Sequence, residues 1–154
     1  MSGRVGVVWD DALVGYDFGP GHPMAPVRLQ LAMRLSAEFG LFRHANVQVL
    51  TPVVSATRDE LERVHTAEYV TAVIAASGDC TLVDAPHGLG SEDVPVFLNM
   101  HVESARVAGA TLAGAKAIHA GEHDHVVSLA GGLHHAMPGA AEGFCVYNDI
   151  GVSI

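Results

Sequence analysis

Lysine is almost absent from this chain: Lys116 is the only one among 154 residues, and seven arginines bring the basic total to eight. Against seventeen acidic residues this leaves a formal net charge of -9. A chain so poor in cations lacks the clustered basic side chains that grip a phosphate backbone, so direct nucleic-acid binding is not expected. Cysteine is nearly missing too. Cys80 and Cys145 stand far apart, without the paired spacing of a metal knuckle, and read as free thiols of a reducing compartment. No apolar run approaches the roughly 18 residues of a membrane span. The opening Met1-Ser2-Gly3-Arg4 leads directly into a valine-rich run, with no visible leader pattern. Together these absences predict a cytoplasmic protein with no membrane contact.

Apolar residues make up 49% of the chain and charged residues 16%, so one domain-sized core is expected. Strand-like and helix-like segments alternate. Arg4 to Trp9 reads as a first strand, followed by a glycine- and proline-rich loop from Asp10 to Ala25 in which Asp10-Asp11 forms a capped turn. Pro26 suits the first turn of a helix that Gly40 ends, with Leu29, Leu31, Ala32, Met33 and Leu35 forming a broad apolar face. Val47 to Leu50, stopped by Pro52, is a second strand. Helical segments follow from Thr57 or Arg58 to Val64 and from Thr66 to Ala76, then a loop from Ser77 to Glu92. The longest helix is predicted over about Val94 to Ala120. Its many alanines and glycines call for close packing against a sheet. Val126 to Ala130 is the third strand.

The carboxyl end of that strand carries the most informative residues. Gly131-Gly132-Leu133 turns the chain, and His134-His135 follow. Glycine permits a sharp turn and a close approach to the backbone, and ligands of open α/β sheets bind at this edge. Two imidazoles there make a proton-transfer site, because histidine titrates near neutral pH. His119, His123 and His125 lie at the amino end of the same strand, the wrong edge for an active site, and read as a solvated turn. Cys145 reads as a buried, inert thiol and His22 as a structural residue of its loop.

Asn148-Asp149 resembles a helix cap before Ile150, Val152 and Ile154. So short a helix is marginal alone, and three short strands make a poor parallel sheet. The expectation is therefore that residues 1–154 form the N-terminal part of one larger α/β domain. The alternative is a complete small domain with a frayed end.

Five segments, in order along the chain, resemble the histone deacetylase superfamily, most closely its acetoin utilization and acetylpolyamine amidohydrolase-like branch. They are Gly21-His22-Pro23-Met24-Ala25-Pro26-Val27-Arg28-Leu29, Val64-His65-Thr66-Ala67-Glu68-Tyr69, Gly90-Ser91-Glu92-Asp93-Val94-Pro95-Val96-Phe97, Gly131 to Ala136, and Glu142-Gly143-Phe144-Cys145-Val146-Tyr147-Asn148-Asp149. The resemblance implies an arginase/deacetylase-like three-layer α/β fold with a parallel sheet, incomplete here. It also implies zinc-dependent hydrolysis of an acetylated amine, either an acetyl-lysine protein or a small acetylated amine. By that resemblance His135 is the main general base and acid and His134 its electrostatic partner. Gly143 and Phe144 line an apolar tunnel, Asp93 holds the substrate at the rim, and Arg28 lies near a channel for acetate. The family's zinc ligands, the aspartates that orient its two histidines and its oxyanion tyrosine belong to segments with no counterpart in these residues. The chain alone is thus expected to bind no catalytic zinc and to be inactive, the activity residing in the full-length protein. A non-catalytic module that binds an acyl-lysine or a partner chain is the other reading.

Overall fold

The protein is described here by a computed structural model covering residues 3–154. Three four-residue strands form the sheet: β1 (Val5–Val8), β2 (Val47–Leu50) and β3 (His125–Ser128). All pair in parallel in the order β2-β1-β3, with Val5 opposite both Val47 and His125. Parallel neighbours cannot be joined by a tight turn, so each connection is a helical crossover. The first carries α1 (Val27–Glu38). The second carries α2 (Arg58–Leu61), α3 (Ala67–Ala76) and the 20-residue α4 (Met100–His119). A short α5 (Asp149–Ser153) closes the order. The expected α/β class with a parallel sheet is the one observed.

Local chemistry sets most of these boundaries. Thr57 caps α2 in a reciprocal box with Glu60, and Thr66 caps α3 through the Tyr69 N–H. Asp10 accepts from Ala12 N at 2.9 Å and from Val53 N at 3.2 Å, so the acidic pair after β1 is the capped turn its sequence predicts. α4 begins six residues later than Val94. Asn99 sits in the left-handed region (φ 62°) and cannot continue a helix backwards, while Val94 N bonds the Ser91 hydroxyl. Residues 94–98 are therefore an anchored loop, with Val94 and Phe97 in the core.

The core lies between α4 and its surroundings and includes Val8, Leu61, Tyr69, Met100, Val107 and Val146. Small residues let α4 approach the sheet closely: a Cβ on Gly114 would stand 2.8 Å from Val126 Cγ1. The apolar face expected of α1 is less used. Met33 is buried, but Leu31 is 59% and Leu35 58% exposed, because within this chain the helix meets mainly the two short 3-10 turns beside it. Among the described residues, no helix is long and apolar enough to cross a membrane.

Candidate functional site

The strand β3 delivers the chain into Ala130-Gly131-Gly132-Leu133-His134-His135-Ala136. Gly132 adopts φ +95°, which a side chain would strain. Gly131 has a different reason to be glycine. Its Cβ would lie 2.4 Å from Thr111 Oγ1 and 2.5 Å from Asp149 Oδ2. The close approach expected there is made by a carboxylate of the chain itself. Asp149 is fully buried and accepts from Gly132 N at 2.9 Å, Leu133 N at 2.6 Å and the Thr111 hydroxyl at 2.5 Å.

The two histidine rings stack at 4.4 Å between centroids with a 37° tilt. Both residues are exposed. Gly132 O lies 3.0 Å from His134 Nδ1 and can only accept, so this nitrogen carries the proton of that bond. The His135 ring rests against Gly143, where an added Cβ would come within 2.7 Å of His135 Cγ. Gly143 also has φ +56° and Phe144 φ +66°. Two consecutive left-handed residues bend this segment back under the histidines. We expect Gly143→Ala to be less stable for both reasons, since an alanine there is strained and pushes the ring aside. A loss of about 1–2 kcal/mol in denaturant titration would check it.

Asp93 joins the same patch. Its Oδ2 accepts from Gly143 N at 2.6 Å, which ties the loop before α4 to the segment under His135. Phe144 meets His22 edge to face at 4.6 Å, and His22 in turn stacks on Phe18 at 4.4 Å. His22 Nδ1 accepts from Met24 N at 3.1 Å, the structural role its sequence setting suggests. Arg28 is exposed and lines a cavity of about 340 Å³ with Tyr16, Met24, Leu29, Ala130 and Gly131. Five of the six expected site residues are thus linked directly, and Arg28 reaches the glycine turn through that cavity.

Several supporting contacts are long-range and carry no local signal in the sequence. Tyr16 donates its hydroxyl hydrogen to Phe144 O at 2.8 Å and accepts from Val146 N at 3.1 Å. Tyr69 donates to Val146 O at 2.7 Å, and the Tyr147 hydroxyl lies 2.9 Å from His101 Nδ1. Burial raises all three phenols above their ordinary range, so they remain neutral donors. Cys145 is buried, and desolvation raises its thiol too, in keeping with an inert sulfur. Cys80 is exposed, and both thiols are free. Of the three histidines at the opposite edge, His119 and His125 are exposed, but His123 is buried at 7% exposure. Its ring packs beside Gly6 of β1, so that turn is not solvated throughout.

His65 is buried between Met137, just after the histidine pair, and Asn148, at the start of α5. Its Nε2 accepts from Asn148 N at 2.9 Å while its Nδ1 lies 3.1 Å from Met137 O. Only the neutral ring with hydrogen on Nδ1 satisfies both. Burial lowers its pKa below the ordinary 6.5, so the unfolded chain binds the extra proton first. Its contribution to stability is complete above pH 6.5 and is lost as pH falls through the lowered folded value. His101, also lowered by burial, acts in the same direction. Urea titrations from pH 8 to pH 5 should show stability falling below about pH 6.5. His65→Gln should be less stable by about 1–3 kcal/mol at pH 8, with a shallower slope.

Comparison with known proteins fits this geometry. Residues 22–154 match the histone deacetylase domain. The chain is 37% identical over 156 residues to acetoin utilization protein AcuC of Staphylococcus xylosus, covering all of this chain and 40% of that protein. It is 37% identical to histone deacetylase 2 of Oryza sativa, covering 98% of this chain and 30% of that protein. A crystal structure of an HDAC homolog complexed with SAHA superposes with a TM-score of 0.80 at 25% identity, over 97% of this chain and 40% of that one. The chain therefore spans well under half the length of these relatives.

Proposed function

Because this chain belongs to the histone deacetylase family, we propose that it forms the N-terminal part of a single-domain enzyme that hydrolyses an acetylated amine, acetyl-lysine in a protein or a small acetylated amine such as an acetylpolyamine. The observation that carries the reading is the direct packing of His135 on Gly143, whose N–H is held by Asp93. Proton transfer, tunnel wall and rim are then one connected unit.

In this scheme His135 takes a proton from the attacking water and returns one to the departing amine. His134, its ring 4.4 Å away, is the electrostatic partner in this scheme. Gly143 and Phe144 form the wall along which the aliphatic chain of the acylated amine lies. Asp93 keeps one carboxylate oxygen for the Gly143 N–H and offers the other to the substrate's amide or cationic groups. Arg28 suits the acetate product through charge-assisted hydrogen bonds.

The family implies a zinc ion, which would polarise the acetyl carbonyl. The residues of this chain do not fit one by themselves. Among the described residues, no three His, Cys, Asp or Glu side chains gather to hold a metal, whereas a catalytic zinc takes three protein ligands. The ligands are assigned to the full-length protein outside this chain, and these residues to proton transfer and substrate contact.

The test compares the full-length protein with residues 1–154. Zinc content and hydrolysis of an acetyl-lysine reporter and an acetylpolyamine are measured on both. Stoichiometric zinc and turnover are expected of the full-length protein and neither of the chain alone. Turnover by the isolated chain, or none by the zinc-loaded full-length protein, overturns the proposal.

A further inference from the structure

We infer that the hydroxyl of Tyr16 is a positioning group for Phe144: it holds that ring where the aliphatic stem of an acylated amine runs. The inference rests on the tunnel-wall reading above and deepens it. Tyr16 is buried at 5% exposure and acts through Phe144.

Phe144 stands where a phenylalanine is costly. Glu142 N donates to Cys145 O at 3.1 Å and Cys145 N to Glu142 O at 2.9 Å, so Glu142-Gly143-Phe144-Cys145 is a closed turn. Both central residues have positive φ, 56° and 66°, as in a type I′ turn, whose preferred central pair ends in glycine. Gly143 meets that demand. Phe144 does not, because its Cβ crowds the backbone in the left-handed region. A bulky residue persists there only when its surroundings over-determine it.

Those surroundings come largely from one loop. Tyr16 donates to Phe144 O at 2.8 Å and accepts from Val146 N at 3.1 Å. The two groups belong to the successive peptide planes on either side of Cys145, so one hydroxyl, as donor and acceptor, ties both. Burial keeps the phenol protonated and hence a donor. Further along the same loop, His22 meets the Phe144 ring edge to face at 4.6 Å. The loop is braced in turn. The Tyr16 ring packs edge-on against Phe18 at 5.3 Å, and Phe18 meets His22 at 4.4 Å. Phe144 is thus gripped by its backbone and by its ring. A turn that had only to close would be better served by glycine at this position. A strained aromatic, half-buried and given a dedicated buried hydroxyl, points to a use for the ring itself.

Tyr16→Phe removes the hydroxyl and keeps the ring with its aromatic contacts. The test uses the zinc-loaded full-length protein and two hydroxamates that chelate zinc alike: octanohydroxamate, which carries an apolar stem, and acetohydroxamate, which does not. Tyr16→Phe should bind octanohydroxamate about tenfold more weakly, roughly what two buried methylenes supply, with acetohydroxamate affinity within about twofold of wild type. For an acetyl-lysine reporter KM should rise about tenfold and kcat change less than about twofold, the split expected when stem binding alone is lost. A general loosening of the fold would instead weaken both hydroxamates. Phe144→Gly relieves the strain and removes the ring, so it should lose stem affinity as well. Adding Tyr16→Phe to Phe144→Gly should then weaken octanohydroxamate no further. This double variant keeps the test open even where Tyr16→Phe alone does not fold.

Wild-type octanohydroxamate affinity in Tyr16→Phe would overturn the inference. So would an equal loss for both hydroxamates, or a further loss on top of Phe144→Gly. If Phe144→Gly itself binds octanohydroxamate like the wild type, the tunnel-wall reading fails and the inference falls with it. A loss in Phe144→Gly with none in Tyr16→Phe sinks the inference alone.

Discussion

Replacing His135 with alanine in the full-length enzyme should lower kcat by about 10²-fold or more and leave KM within about twofold. A hundredfold loss corresponds to about 2.7 kcal/mol of transition-state stabilisation, within the range of a general base that acts only when charge develops. The ring lies on Gly143 at the foot of the proposed tunnel wall. In the proposed scheme it acts on the acetyl end of the amide rather than on the aliphatic part of the amine, which is why the loss belongs in kcat. His134→Ala should be less severe. Its ring is one step removed from Gly143, and its proposed work is that of electrostatic partner to its neighbour. Steady-state kinetics on both variants, with zinc content measured beside them, separates the roles. A His135→Ala enzyme with full zinc and kcat within twofold of wild type would exclude it as the base.

How far these residues can be read in sequence depends on whether their signal is local. β2 is found at Val47–Leu50 because a short β-type run stops near a proline. Thr57, Thr66 and Asn148 mark helix starts through short-range capping chemistry, and all three do cap. The histidine pair and its glycines are adjacent in the chain, so their place after β3 follows directly. What is not legible is long-range. Tyr16 meets Phe144 across 128 positions and Tyr69 meets Val146 across 77, and no periodicity encodes such pairs. Asp149 can be recognised as a helix-start residue but not as the carboxylate filling the space beside Gly131. The pattern starts α4 too early because Val94 and Val96 extend its apolar run, whereas the left-handed Asn99 ends it. The apolar stripe of α1 is legible and yet not a guide to burial here, since the described residues leave Leu31 and Leu35 uncovered.

The largest stability effect is expected from the smallest change, Gly109→Ala in α4. In an ordinary helix this substitution gains about 1 kcal/mol, because alanine has less backbone freedom to lose. At Gly109 the segment before α2 lies directly on the helix. A Cβ would stand 2.0 Å from Val54 O, 2.7 Å from Ala56 N and 2.9 Å from Ser55 C. These are backbone atoms, so no rotamer change relieves the overlap, and residues 54–56 must move as a unit. Moving them breaks the bond from Ala56 N to Ala105 O at 2.8 Å and drags on Thr57, which caps α2. Overpacking of a tight interior costs about 1–3 kcal/mol when side chains can adjust, and more when they cannot. The net loss should therefore be about 2 kcal/mol or more, despite the helix gain, or a fall in Tm of about 5 °C or more for a chain of this size. Ala113→Gly, one turn on and exposed, provides the scale, since it should lose only the propensity difference of about 1 kcal/mol. Denaturant titration of the two variants beside the parent decides the point. A Gly109→Ala protein as stable as the parent would mean that residues 54–56 do not lie against α4, and that the close approach read from these distances is wrong.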